Sequence, residues 1–222
     1  ISTWGREITV DSVKTVFKYP RPQMVRGGAS SWHSLNGLWE FEPCAEWGCG
    51  PPPFARSMNE SVLVPFPVES CLSGLRNHSA AGRGLDVPPS YQHMYYRTHL
   101  DATRLRQAAS ASGGRSLLHF GAVDWQCDVY VNGMHVGGHE GGFDGFSFDI
   151  SDALELATAG QHELVVQVYD PSNKGSQPFG KQRTEAMWEP GGDTYTPVSG
   201  IWQPVWLETI AERHFTSLKL RA

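Results

Sequence analysis

An all-β sandwich is the fold class this sequence predicts, and three observations predict it. Residues 123–131 place Val123, Trp125, Cys127, Val129 and Val131 at odd positions and Asp124, Gln126, Asp128 and Tyr130 at even ones. Successive side chains of an extended chain point to opposite faces, so a period of two marks a strand with one face on a core. Asn132-Gly133 follows directly; this dipeptide tolerates the positive φ values of a two-residue hairpin turn. Finally, 24 Gly and 15 Pro in 222 residues suit many short strands joined by tight turns better than they suit helices.

The remaining elements follow in chain order. Strands are predicted at Leu38–Phe41, Ser61–Val64, Tyr95–Leu100 and Ser116–Phe120. The 123–131 strand and its return from Met134 come next, then Gly145–Asp149, Glu163–Tyr169 and Val205–Thr209. Clusters of Gly, Pro, Asn and Asp separate them, at the spacing of a sandwich or barrel. Helical signal is confined to Asp101–Ala109 and Ile150–Leu156, the second with Ser151 as an N-cap. Neither is long enough to build a βαβ layer.

Two stretches, Pro43–Asn59 and Asn173–Val198, read as long loops, and loops of that length in a compact domain tend to carry function. The second holds Lys181, Gln182, Arg183, Glu185, Trp188, Glu189, Asp193, Thr194 and Tyr195. Rings that stack on the C–H faces of a sugar, beside groups that pair with its hydroxyls, are what carbohydrate recognition needs. The competing reading is a solvated loop whose Trp packs under the sandwich.

Composition narrows the function classes. A net charge of -5 without a basic stripe argues against a nucleic-acid partner. No apolar run approaches the ~18 residues of a membrane span. Nine histidines are scattered with no HExxH, so no metal site is expected. No GxGxxG, P-loop or GxSxG elbow is present either, and no cofactor is expected. Glu185, Glu189 and Asp193 lie close in sequence, but a flexible loop is a poor support for a catalytic carboxylate pair. Cys44 and Cys49 share a short Gly/Pro-rich loop in which a local disulfide closes easily; two free thiols are the alternative. Cys71 and Cys127 read as ordinary thiols. Asn59-Glu-Ser61 and Asn77-His-Ser79 match the N-glycosylation acceptor pattern. Together with the cysteine pair they favour a secreted or lumenal protein. The chain opens on Ile1 rather than Met, so it is expected to be processed or a fragment.

Several segments resemble one known family. Leu35-Asn-Gly-Leu-Trp-Glu-Phe41 is similar to the opening of the sugar-binding domain of family 2 glycoside hydrolases, and Val64-Pro-Phe-Pro-Val-Glu-Ser70 to the turn that follows it. In order come Tyr95-Tyr-Arg97, Leu118-His-Phe-Gly-Ala-Val-Asp-Trp125 and the Val131-Asn-Gly133 hairpin. His139-Glu-Gly-Gly-Phe143 with Phe146-Ser-Phe-Asp-Ile150 resembles the family's "H-x-GG-aromatic" segment. Thr196-Pro-Val-Ser-Gly-Ile-Trp-Gln203 and Val205-Trp-Leu-Glu208 resemble its closing strand. Each piece is short, and their common order is what carries the resemblance. Most of them are architectural: Gly141 and Gly142 permit a backbone shape, and Trp39, Trp125 and Trp202 are expected to serve packing.

The resemblance implies a galactose-binding-like jelly roll, followed by an immunoglobulin-like domain and a (β/α)8 barrel that bears the catalytic Glu pair. A barrel alone takes ~250 residues, so no catalytic residue is expected in this chain. The implied division is an N-terminal extension over 1–30, the sandwich over 31–210, and a linker or the start of a following domain over 211–222. In the β-galactosidase branch an Asn and an Asp of this domain reach the sugar pocket; the matching positions here are Pro67 and Thr194. Both depart from the pattern, which leaves the adjacent Asp193 as the pocket candidate, with Lys181, Gln182, Trp188, Glu189, Thr194 and Tyr195 around it. The expected partners are a carbohydrate and downstream domains of a parent glycosidase. Two alternatives stay open: a free-standing carbohydrate-binding module using Trp47, Trp188 or Tyr195, and a structural sandwich whose partners are subunits of an extracellular assembly.

Overall fold

A computed structural model of the chain describes residues 3–16, 31–44, 49–75, 92–102, 105, 114–156, 160–187, 189 and 191–221. The described strands are β1 (Trp32–Ser34), β2 (Gly37–Pro43), β3 (Glu60–Val64), β4 (His93–Asp101), β5 (Arg115–Phe120), β6 (Val123–Asp124), β7 (Gln126–Val131), β8 (Met134–Glu140), β9 (Phe146–Asp149), β10 (Gln161–Tyr169), β11 (Gly200–Ile201) and β12 (Val205–Ile210). They form a four-stranded sheet β1-β12-β5-β9 and a six-stranded sheet β3-β2-β4-β10-β7-β8, with β11 and β6 as a short extra pair. Every pairing between these strands is antiparallel. The fold is the all-β sandwich that the period-two segments predict, in the jelly-roll form that the family resemblance implies.

Alternation builds the core. Trp39 and Phe41 of β2, Met94 and Tyr96 of β4, Val129 and Val131 of β7, and Leu164, Val166 and Val168 of β10 point inward from the six-stranded sheet. They meet Leu118 and Phe120 of β5 and Val205 and Leu207 of β12 from the other sheet. Trp39 is buried and donates its indole N–H to the Leu35 carbonyl at 2.8 Å. The Asn132-Gly133 hairpin forms with φ of 50° and 82° at its two residues, and Asn132 Nδ2 also donates to the Ala153 carbonyl at 2.8 Å.

Three expectations need correction. The 123–131 segment is not one strand: β6 pairs with β11, whereas β7 pairs with β10 and β8, and the chain turns at Trp125 between them. As a result Asp124, an outward position by alternation, is only 4% exposed. Second, Ser151 opens the short helix α2 (Ser151–Leu154) but does not cap it, because the cap position is Ile150. The Ser151 hydroxyl instead accepts the Ser116 N–H and donates to Asp149 Oδ1. Of the helix expected over 101–109, only Asp101, Ala102 and Leu105 lie within the described residues, and Asp101 ends β4.

The third correction concerns Pro43–Asn59, whose described residues are not a free loop. Cys44 and Cys49 form a disulfide, and the segment folds over the outer face of the six-stranded sheet. There Cys44, Met58, Tyr95 and Val165 make a second small core with Phe54 and Tyr130. Arg97 fastens it: the buried guanidinium bonds Glu40, Glu163 and the Pro53 carbonyl. Trp47 lies outside the described residues. Before β1, a 3-10 turn (Trp4–Glu7) and helix α1 (Ser12–Val16) are formed, and Val13 is fully buried.

Candidate carbohydrate-facing rim

One end of the sandwich gathers the described residues of 177–203, the turn after β8 and the turn after β3. Gln182, predicted to face a ligand, is 6% exposed and fully engaged inside the protein. Its Nε2 donates to Asp124 Oδ2 at 2.9 Å and its Oε1 accepts the Val198 N–H at 2.6 Å. It therefore clamps the base of the loop rather than offering its amide to solvent, which corrects its assignment as a sugar-contacting group.

Beside this clamp lies a cluster of buried carboxyls. Ser199 N–H donates to Glu69 Oε2 at 2.9 Å, and its side chain lies beside both Glu69 and Asp170. Asp170 Oδ1 accepts the Ser172 N–H at 2.7 Å. Glu69 Oε1 and Asp170 Oδ2 have no hydrogen-bond partner among the described residues. Burial pushes the Glu69 carboxyl up to about 7, against the bonds from Ser199 and with the charge of Asp170 adding to it. Burial likewise pushes Asp124 up to about 7, with Asp170 and Glu69 reinforcing and Gln182 opposing. Asp170 is raised by burial as well. Desolvation and like charge both disfavour the ionised form, which is why all three move the same way.

The outer surface of this end carries rings and a pair of charges. Phe143 is 62% exposed on the turn after β8, and Tyr195 is 64% exposed on the loop. The half-buried Trp202 supports Phe143 from below: its Nε1 donates to the Gly142 carbonyl at 2.8 Å and the two rings meet edge to face at 6.1 Å. The Phe143 ring also covers Gly180, where an added Cβ would sit 3.4 Å from its Cζ. Tyr195 N–H donates to the Lys181 carbonyl at 3.0 Å, and Arg183 N–H to the Tyr195 carbonyl at 2.8 Å. Lys181 Nζ lies 3.5 Å from Asp193 Oδ2, both side chains open to water.

Of the predicted residues, then, Lys181, Asp193 and Tyr195 share one surface. Thr194 is half-buried, its hydroxyl donating to the Gly191 carbonyl at 3.1 Å, and Glu189 is exposed. Trp188 and Asn77 lie outside the described residues. Asn59 is exposed just before β3. Pro67 sits on the turn whose Val68 N–H donates to the Ser199 carbonyl at 3.3 Å. Phe143 and Asp124 escaped the sequence reading: one sits in a segment read as backbone shape, the other at an outward-counting position.

Comparison with known proteins agrees with this architecture. The family described as "Glycosyl hydrolase 2 galactose-binding domain-like" matches residues 89–199, half of the chain. The "Putative beta-glucuronidase" of Formosa agariphila is 34% identical over 106 residues, which is 46% of this chain and 11% of that protein. The beta-galactosidase of Thermoanaerobacter pseudethanolicus is 30% identical over 102 residues, 46% of this chain and 12% of that one. The matched part is thus a small fraction of either relative's length. A solved structure of the Ruminococcus gnavus β-glucuronidase, in complex with uronic deoxynojirimycin, superposes with a TM-score of 0.55 at 23% identity, over 86% of this chain and 30% of that one. At that identity the likeness speaks for the fold alone. On the family match and the architecture together, the chain belongs to the galactose-binding-like domains of glycosyl hydrolase family 2.

Proposed function

We propose that this chain is the N-terminal, non-catalytic domain of a larger glycosidase, and that its rim of Phe143, Tyr195, Lys181 and Asp193 faces a carbohydrate. The carrying observation is the rim: two exposed rings flank an exposed donor–acceptor pair, the mixture that sugar rings and hydroxyls require. Thr194, Glu189 and Trp188 belong to the same loop and are included in the proposed contact set. Residues 31–210 form the domain in this reading, 1–30 an N-terminal extension, and 211–222 the passage to a following domain. Retaining hydrolysis needs two carboxyls about 5 Å apart, and these are assigned to a downstream (β/α)8 barrel. The disulfide and the exposed Asn59 support secretion and N-glycosylation.

The test is the native protein. A product that continues past residue 222 into a barrel with two Glu residues is expected, and one that ends near 222 overturns the reading. In the full-length protein, Phe143→Ala is expected to weaken sugar binding without loss of fold. Digestion with a peptide-N-glycosidase is expected to shift the native mass, and Asn59→Gln to reduce that shift.

A free-standing carbohydrate-binding module is the second reading, favoured by the exposure of Phe143 and Tyr195. Binding of the 222-residue chain alone on a glycan array, lost in Tyr195→Ala, is its expected result. A flat array response eliminates it.

A further inference from the structure

We propose that Asp124 is the positioning residue of the rim, acting through Gln182, and that it holds the loop in place from within the buried cluster of Glu69 and Asp170. The loop carrying Lys181 and Tyr195 is tied to the sandwich at its base by the relay Asp124–Gln182–Val198. Asp124 is the root of that relay, on the two-residue strand β6. Gly142 packs against the Asp124 carboxyl so closely that an added Cβ would overlap it. The same residue therefore also fixes the turn that presents Phe143.

The charge environment sets when the relay holds. The turn after β3 supplies Glu69, the segment after β10 supplies Asp170, and β4 supplies the fully buried Tyr96, which interacts with both acids. The loop and the segment before β11 supply only the neutral Gln182 and Ser199. Among the described residues no Lys, Arg or His forms an ion pair with Asp124, Glu69 or Asp170. Two oxygens of the cluster, Glu69 Oε1 and Asp170 Oδ2, are buried without a hydrogen-bond partner among the described residues. Three carboxyls so placed cannot all ionise without large mutual repulsion.

The direction of the pH effect follows from linkage. Asp124 has a folded pKa of about 7 against an ordinary 3.8, so opening the loop to water releases a proton from it. The stabilisation is complete below the ordinary value and is lost as pH rises through about 7. Within that window the opening equilibrium rises by up to about tenfold per pH unit, and above it the effect of Asp124 levels off.

The experiment is amide exchange on the whole chain between pH 5.5 and 8.5, expressed as protection factors so that base catalysis of exchange divides out. The reporters are the Arg183 and Val198 amides, bonded to the Tyr195 carbonyl and to Gln182 Oε1, with β10 amides as the internal reference. Protection of the two reporters in the wild type is expected to fall as pH rises toward 7 and then to level. In Asp124→Asn, which keeps an acceptor for Gln182 and cannot ionise, that fall is expected to be clearly shallower. In Gln182→Ala their protection is expected to be low at every pH while β10 is unchanged. Wild-type reporter protection that does not fall between pH 5.5 and 7 overturns the proposal, as does an Asp124→Asn slope equal to wild type. The measurement uses no sugar, so the carbohydrate reading can fail while this one stands.

Discussion

Arg97 and Glu40 face each other directly across β4 and β2, and the buried guanidinium grips the carboxylate with two hydrogen bonds, Nε to Oε1 at 3.2 Å and Nη2 to Oε2. A third bond runs to Glu163 Oε1 at 3.0 Å on β10 and a fourth to the Pro53 carbonyl at 3.2 Å. One side chain thus joins three strands of the six-stranded sheet to the segment that covers them. Arg97→Met is expected to destabilise the fold by roughly 3 kcal/mol, the lower end for breaking a buried ion pair. The lower end applies because the Glu40 side chain is 34% exposed and regains water. Urea unfolding of the variant measures it. A loss below about 0.5 kcal/mol would mean that the network is ornamental.

The disulfide contributes beside that network. Cys44 and Cys49 close a loop of sequence separation 5, with Cα atoms 4.8 Å apart. For so short a loop the chain-entropy argument gives about 2 kcal/mol. The double variant Cys44→Ser, Cys49→Ser is expected to lose that amount and to raise the proteolytic sensitivity of 49–58. The small core of Met58, Tyr95 and Val165 loses part of its cover when the loop opens. Comparison of melting temperatures with and without a thiol reductant checks the same quantity in the unaltered chain.

Much of this was legible before the structure, and the reason is physical. Where a strand has one wet face, alternation identifies the inward row, so Trp39, Phe41, Val129 and Val131 could be read as core. Each expected strand other than 123–131, which is divided between β6 and β7, is present with ends within two residues. Alternation fails where a chain changes partners. Between β6 and β7 the strand leaves one pairing for another, and Asp124 is carried inward against its parity. Glu69 and Asp170 stood in turn-like contexts, Val-Glu-Ser and Tyr-Asp-Pro, where an acid is ordinarily solvated. Only tertiary folding brings those turns together around Ser199. Phe143 was hidden in the opposite way: the glycines flanking it signalled backbone shape and drew notice from the one residue of the turn that offers a surface. For the long loop the composition offered Gln182 as a surface group and the structure buries it, because sequence does not say which polar groups turn inward.

Stability should peak on the acid side of neutrality. The bond from Arg97 holds the Glu40 carboxyl below its usual 4.5, and Arg56 does the same for Glu42. Their contributions are present above the ordinary range and are lost as pH falls through the depressed values. Glu69 runs the other way: with a folded pKa of about 7, its contribution is present below 4.5 and is lost as pH rises toward 7. Asp124 adds to that alkaline loss. The two slopes meet where the acid loss ends and the alkaline loss begins, so the urea midpoint is expected to be highest at about pH 4 to 4.5, near the ordinary carboxylate values. Glu69→Gln is expected to flatten the alkaline limb and leave the acid limb intact. An alkaline limb of unchanged slope in that variant would contradict the assignment.

Gly200 is the residue of this end that admits least change. It starts β11 with φ of 83°, a left-handed value that costs a residue with a side chain roughly 1–2 kcal/mol. The Tyr96 hydroxyl lies directly over it, so an added Cβ would overlap that oxygen and come within 3.3 Å of Met94 Sδ. Tyr96 cannot easily retreat, because its ring packs edge to face on Phe41 at 5.2 Å inside the main core. Overpacking of this kind costs typically 1–3 kcal/mol, and the two effects act at one atom. Gly200→Ala is therefore expected to lose about 3 kcal/mol, and Gly133→Ala much less, since an added Cβ there meets nothing within 4 Å. The difference isolates the clash, because both positions share a φ near 82°. Equal losses for the two variants would assign the whole cost to backbone strain and leave the Tyr96 contact without consequence.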